Sequence, residues 1–157
     1  MVKVFDNVIS EDLLNFIREE ITTMRWQKQA SSTKNNDEFY EESDFFACET
    51  HNAYLSHIYL FNFFCKKFSL NYKLIRSYVN CYPSGVSGTF HSDDGDFTFL
   101  FYPDKIQEKK GSTLFNDGTK IEYKTNRLLV FNAELLHKAD TNLSNQMRHT
   151  IAWKTSI

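Results

Sequence analysis

In the second half of the chain, eight short apolar or alternating runs follow one another, separated by turn signals: Leu74–Tyr82, Thr89–Asp93, Asp96–Tyr102, Ser112–Asn116, Thr119–Tyr123, Arg127–Asn132, Leu136–Thr141 and Met147–Trp153. Such runs make strands, and strands in close succession confine the chain to an antiparallel sandwich or jelly roll. The first half differs in texture. Val2–Ile9 reads as a short strand, and Ser10 is a good N-cap for an amphipathic helix to about Met24, on which Leu13, Leu14, Ile17 and Ile21 recur at three- and four-residue spacing. A second helix with an aromatic buried face is expected over Asn52–Phe68. Between them, Lys28–Thr50 is polar and acidic and reads as a long solvated loop, with a lid or a contact to a basic substrate as its functional alternatives. The fold expected is mainly β, with two helices from the N-terminal half packed on the sheet.

At 157 residues the chain is read as one domain, large enough to fold on its own core without disulfides or structural metal. Eighteen basic and twenty acidic residues give a formal charge of -2 with no basic cluster, so no nucleic-acid partner is expected. The three cysteines are odd in number and lack a Cys-x-x-Cys pair, which fits a reducing compartment. Met1–Asn7 lacks the pattern of a signal peptide, and the most apolar run, Ile58–Cys65, is too short for a bilayer. These features predict a cytoplasmic protein with no membrane partner.

Of five histidines, only His91 has a carboxylate two positions on, in His91-Ser92-Asp93. In a strand, residues i and i+2 share a face, so both side chains could reach one metal ion. His137 near the start of a later strand completes a set of two imidazoles and one carboxylate, the facial arrangement of non-haem Fe(II) oxygenases. Arg148 follows on the last strand. Without that company, His91, Asp93 and His137 would be a strand histidine or two and a surface aspartate. Other titratable residues fall outside the set: His51 and His57 do not share a helix face, His149 alternates away from Arg148, and Asp94 from Asp93. Cys81, opposite in face to Tyr82, reads as core.

From Leu74 to Trp153 the chain resembles the 2-oxoglutarate and Fe(II)-dependent dioxygenases, particularly their prolyl 4-hydroxylase-like branch. The resemblance rests on Asn80-Cys81-Tyr82-Pro83 leading through glycines to His91-Ser92-Asp93, on Thr98–Tyr102, on Arg127–Phe131 before His137, and on the closing strand Arg148–Trp153. It implies a double-stranded β-helix core and an oxidoreductase that uses Fe(II), 2-oxoglutarate and dioxygen to hydroxylate a substrate, releasing succinate and carbon dioxide. His91, Asp93 and His137 would hold the metal, and Arg148 would bind the distal carboxylate of 2-oxoglutarate with two parallel hydrogen bonds. Tyr102 would donate to the same carboxylate and Tyr82 would approach the metal-proximal end. Asn80, on Tyr82's strand face, is a further pocket residue. Asp93 is the intact carboxylate that related halogenases lack.

Two turns depart from the family pattern. Lys110-Gly111-Ser112-Thr113 stands in place of Gly-Gly-x-Thr, and Asn126 replaces the glycine before the Arg-Leu-Leu strand. No peptide-binding domain is evident, so the substrate, peptide or small molecule, stays open. Peptidyl proline leads by resemblance; a free amino acid, another protein side chain or a metabolite are the alternatives. A silent jelly-roll binding domain and a cupin-type metalloenzyme without 2-oxoglutarate are the competing functions, and Arg148 argues against the second.

Overall fold

The computed structural model describes residues 2–29, 44–50, 55–105 and 111–157. Its elements are β1 (Lys3–Asp6), α1 (Glu11–Thr22), β2 (Gln27–Gln29), β3 (Phe45–Glu49), a π-helical turn Leu55–Tyr59 running into α2 (Leu60–Lys67), β4 (Lys73–Tyr82), β5 (Phe97–Tyr102), β6 (Ser112–Phe115), β7 (Lys120–Glu122), β8 (Arg127–Asn132), β9 (His137–Ala139) and β10 (Arg148–Ser156). A seven-stranded sheet in the order β1-β8-β5-β10-β4-β3-β2 faces a three-stranded sheet, β7-β6-β9, and every pairing is antiparallel. The mainly β architecture with two helices is as expected.

Strand alternation builds two cores from one sheet. Phe99, Phe101, Leu128, Val130, Ile151 and Trp153 point to the helices, where they meet Leu14, Ile17, Leu60 and Phe64. Their neighbours Leu100, Tyr102, Leu129, Phe131 and Ala152 point the other way, toward Phe115 and Tyr123 of the small-sheet side. With both faces covered, the central strands read as nearly continuous apolar runs. The helices cap as their sequences specify: Ser10 Oγ accepts from the Leu13 N–H, and the Glu20 carboxylate of α1 accepts from the N–H groups of Leu55 and Ser56 at the start of the π-helical turn.

Three local expectations change. Thr89–Asp93 is not a strand. Only His91 pairs, in an isolated bridge with His137, and the Asp93 N–H donates to the Ala133 carbonyl instead. The segment crosses close to β9 at Gly88, where an added Cβ would lie 3.1 Å from the Ala139 nitrogen, so it spans the sheets and does not extend one. Within the stretch read as a loop, β2 and β3 add two strands to the edge of the large sheet. The second helix begins, among the described residues, with a π-helical turn. The acidic residues 37–42 and His51 lie outside the described residues.

Asn126 explains one departure from the family pattern. Its φ of 61° is left-handed, a conformation that glycine accepts freely and asparagine tolerates better than other side chains. In return its amide bonds both backbone groups of Ile9, accepting from the N–H at 3.0 Å and donating to the carbonyl at 2.7 Å. Stability is expected to fall in the order wild type, Asn126→Gly, Asn126→Ala. Glycine loses the two bonds, while alanine also bears the strain, for a total of about 3 kcal/mol in urea unfolding.

Candidate metal centre and anion pocket

His137 opens β9, and the bridge described above sets His91 directly beside it, with the imidazole centroids 4.5 Å apart. Each ring is oriented by a carbonyl two residues back: His91 Nδ1 donates to Thr89 O and His137 Nδ1 to Leu135 O, both at 2.8 Å. A carbonyl can only accept, so the proton sits on Nδ1 and each Nε2 keeps a lone pair. Those two nitrogens face Asp93, at 3.6 Å from Oδ1 for His91 and 3.5 Å from Oδ2 for His137. The three ligand atoms lie within 4.8 Å of one another.

Burial lowers the pKa of both histidines, that of His137 to about 4, so both are neutral near pH 7. Burial opposes ionisation of Asp93, but the Lys154 ammonium in contact with it outweighs burial and holds the carboxyl at about 2. Two neutral imidazoles and one carboxylate, with mixed nitrogen and oxygen donors, fit Fe(II) and related divalent ions.

A pocket beside the triad is lined by β4, β9 and β10, with Asn80, Tyr82, Arg148 and Lys154 among its walls. Arg148 is 1% exposed. Its Nη2 donates to Ser112 O at 3.1 Å, while Nε and Nη1 are buried with no partner among the described residues. The rings of Tyr82 and Tyr123 flank the guanidinium at 5.6 and 5.5 Å. Buried N–H groups are rarely left unpaired, so the arrangement calls for an anionic acceptor. That demand fits the distal carboxylate of 2-oxoglutarate.

The sequence-predicted residues therefore gather, Tyr102 from behind the pocket wall, where its hydroxyl also meets the Arg148 guanidinium. Tyr82 lines the pocket, stacked on Phe45 of β3, and Asn80 lies two residues along the same strand, opposite Thr150. Tyr102 is fully buried behind the pocket wall, its hydroxyl 2.6 Å from that of Thr113, which does line the pocket. Two residues were missed. Lys154 is buried at the metal end, its ammonium on Asp93 Oδ2, and Thr98 donates to the same oxygen at 2.5 Å. The legible signal was alternation, since Arg148, Thr150, Ala152 and Lys154 share a face of β10.

No family model matches the sequence, and no curated protein does. Solved structures do match over nearly the whole chain. A prolyl hydroxylase from Trichoplax adhaerens, in complex with a hypoxia inducible factor oxygen degradation domain peptide fragment, superposes with a TM-score of 0.74 at 16% identity, covering 97% of this chain and 82% of that one. The chain has the fold of the 2-oxoglutarate and Fe(II)-dependent oxygenases. An oxidoreductase of the 2OG-Fe(II) oxygenase family from Burkholderia pseudomallei gives 0.75 at 12% identity, covering 99% and 84%. HygX from Streptomyces hygroscopicus, with nickel, 2-oxoglutarate and hygromycin B bound, gives 0.69 at 11%, covering 97% and 81%.

On the outer side of β10 in this oxygenase fold, His149 makes a separate ion pair. Its Nδ1 lies 2.9 Å from Asp104 Oδ1 and its backbone N–H donates to Oδ2. Burial works against the protonated ring, but the Asp104 carboxylate, with Cys81 beside it, outweighs burial and raises the pKa to about 9. A histidine whose pKa rises on folding stabilises the fold fully below its unfolded value of about 6.5 and loses that contribution as pH climbs through the folded value. Between pH 6.5 and 9 the unfolding free energy is expected to drop by ~2–3 kcal/mol. Asp104→Asn should flatten that slope in urea titrations at stepped pH.

Proposed function

We propose that this chain is a single-domain Fe(II)- and 2-oxoglutarate-dependent oxygenase that hydroxylates a peptide or small-molecule substrate. The observation that carries the proposal is the pairing, in one pocket, of a neutral His91, His137 and ionised Asp93 set with a buried guanidinium whose Nε and Nη1 have no partner among the described residues. His91, Asp93 and His137 hold the metal, which when bound supplies activation of dioxygen coupled to oxidative decarboxylation of 2-oxoglutarate. Arg148 takes the distal carboxylate through Nε and Nη1, and this fixes which end of the cosubstrate faces the metal. Tyr82 and Asn80 border the cosubstrate on the β4 side. Tyr102 acts through Thr113, holding its hydroxyl in place at the pocket wall.

Substrate choice follows from less. The Trichoplax enzyme is in complex with a peptide fragment and HygX has hygromycin B bound, and this chain shares the fold of both. Peptidyl proline is the leading substrate to test. No helix among the described residues is long and apolar enough to cross a membrane, and Cys48, Cys65 and Cys81 are free thiols, in keeping with a cytoplasmic setting.

Anaerobic addition of Fe(II) and 2-oxoglutarate is expected to give a weak visible charge-transfer band, and admission of air to yield succinate. A +16 Da product from peptide and metabolite libraries would name the substrate. Metal uptake without affinity for 2-oxoglutarate would instead favour a cupin-type enzyme, and absence of both a silent binding domain.

A further inference from the structure

A lysine at 1% exposure inside a metal pocket needs a reason. Lys154 Nζ rests on Asp93 Oδ2, 3.3 Å from Thr98 Oγ1 and 5.2 Å from the centroid of the Tyr78 ring. The cage is specific: a carboxylate, a hydroxyl and an aromatic face, with the Asp93 carboxylate and Thr98 buried. Both of these donors to the Asp93 side chain fall on Oδ2, which also faces His137 Nε2, whereas Oδ1 faces His91 Nε2. One carboxylate oxygen thus carries both the ammonium and the hydroxyl, and the other carries neither.

We infer that Lys154 is a built-in counter-cation for Asp93, which keeps the metal-free site charge-balanced and weakens its hold on a divalent ion. The inference rests on the metal-centre reading above and adds a residue to it. An ion shared by His91, His137 and Asp93 and an ammonium already on Asp93 are two cations served by one buried carboxylate. In a water-poor site like charges at such range repel strongly, so each weakens the other's attachment. Lys154 is therefore a positioning residue: it acts on the ion through Asp93. Thr98 secures Oδ2 independently, so removing the ammonium takes away the repulsion while the carboxylate stays oriented.

This gives an unusual sign. Damage to a metal site ordinarily loosens the metal, whereas removal of Lys154 is expected to tighten it. Lys154→Met preserves length and apolar volume without charge. Isothermal titration of the full chain with Mn(II) alone, at one pH and ionic strength, is expected to show K154M binding about tenfold or more tighter than wild type. K154R, which keeps the charge, should stay within about threefold of wild type. The metal-free K154M protein, left with an unpaired Asp93, should also gain more in Tm on addition of Mn(II) than wild type does. If K154M fails to fold even with Mn(II), K154Q carries the same expectation of tighter binding, since its amide can still donate to Asp93 without charge. Equal or weaker Mn(II) affinity in the folded neutral variant overturns the inference. A His137→Ala control separates the two layers: if it binds Mn(II) as well as wild type does, or if wild type binds none, the metal-centre reading itself has failed.

Discussion

Asp93→Ala is expected to abolish divalent-ion binding and to destabilise the metal-free protein by about 3–5 kcal/mol, an effect no solvent-exposed aspartate would have. The reason is the buried pair. Removing the carboxylate strands the Lys154 ammonium in a buried position beside Thr98 Oγ1 and the Tyr78 ring, neither of which carries a compensating charge. Pairing Asp93→Ala with Lys154→Met removes both charges, and the double variant should recover most of the stability while remaining unable to bind metal. Urea unfolding of the two single variants and the double variant gives the coupling directly. A single Asp93→Ala variant as stable as wild type would contradict the ion pair.

Arg148→Met is expected to separate ligand binding from stability in the opposite way. The guanidinium leaves two buried nitrogens, Nε and Nη1, without a partner among the described residues, so its burial in the ligand-free protein costs folding free energy. The variant should be as stable as wild type or more so. Its apparent affinity for 2-oxoglutarate should fall by about 10²–10³-fold, the loss expected when a buried charge-assisted pair is truncated. Arg148→Lys should recover only part of it, because a point charge cannot reproduce two parallel hydrogen bonds. Succinate formation against 2-oxoglutarate concentration measures the first effect, and thermal unfolding the second.

The large sheet was legible in the sequence because its central strands bury both faces, leaving runs such as Phe97–Tyr102 and Arg127–Asn132 with little polar interruption. β3 was not, since a five-residue strand next to the sheet edge, most of it half-buried and behind a polar stretch, gives almost no periodic signal. The metal residues were legible as types in order, but the reason for their convergence was not. His91 and Asp93 do not share a strand face; a single bridge and an Asp93-to-Ala133 hydrogen bond place them, and both depend on residues some 40 positions away. Lys154 escaped notice for the same reason, as its partner is distant in sequence and a lysine near a strand end looks solvated. Tyr102 was assigned to the right strand and the right face, yet Thr113 stands between it and the open pocket.

His91 and His137 exchange both of their backbone hydrogen bonds, at 3.0 and 2.9 Å. Residues paired in that manner have their Cα atoms about 5.5 Å apart whatever their side chains do. The spacing of the two histidine backbones is thus dictated by peptide geometry, while the third arm is held in place from a neighbouring turn by Thr98 and Lys154. In such a centre the jaw belongs to the backbone, so side-chain substitutions around it leave the separation of its two histidine anchors unchanged.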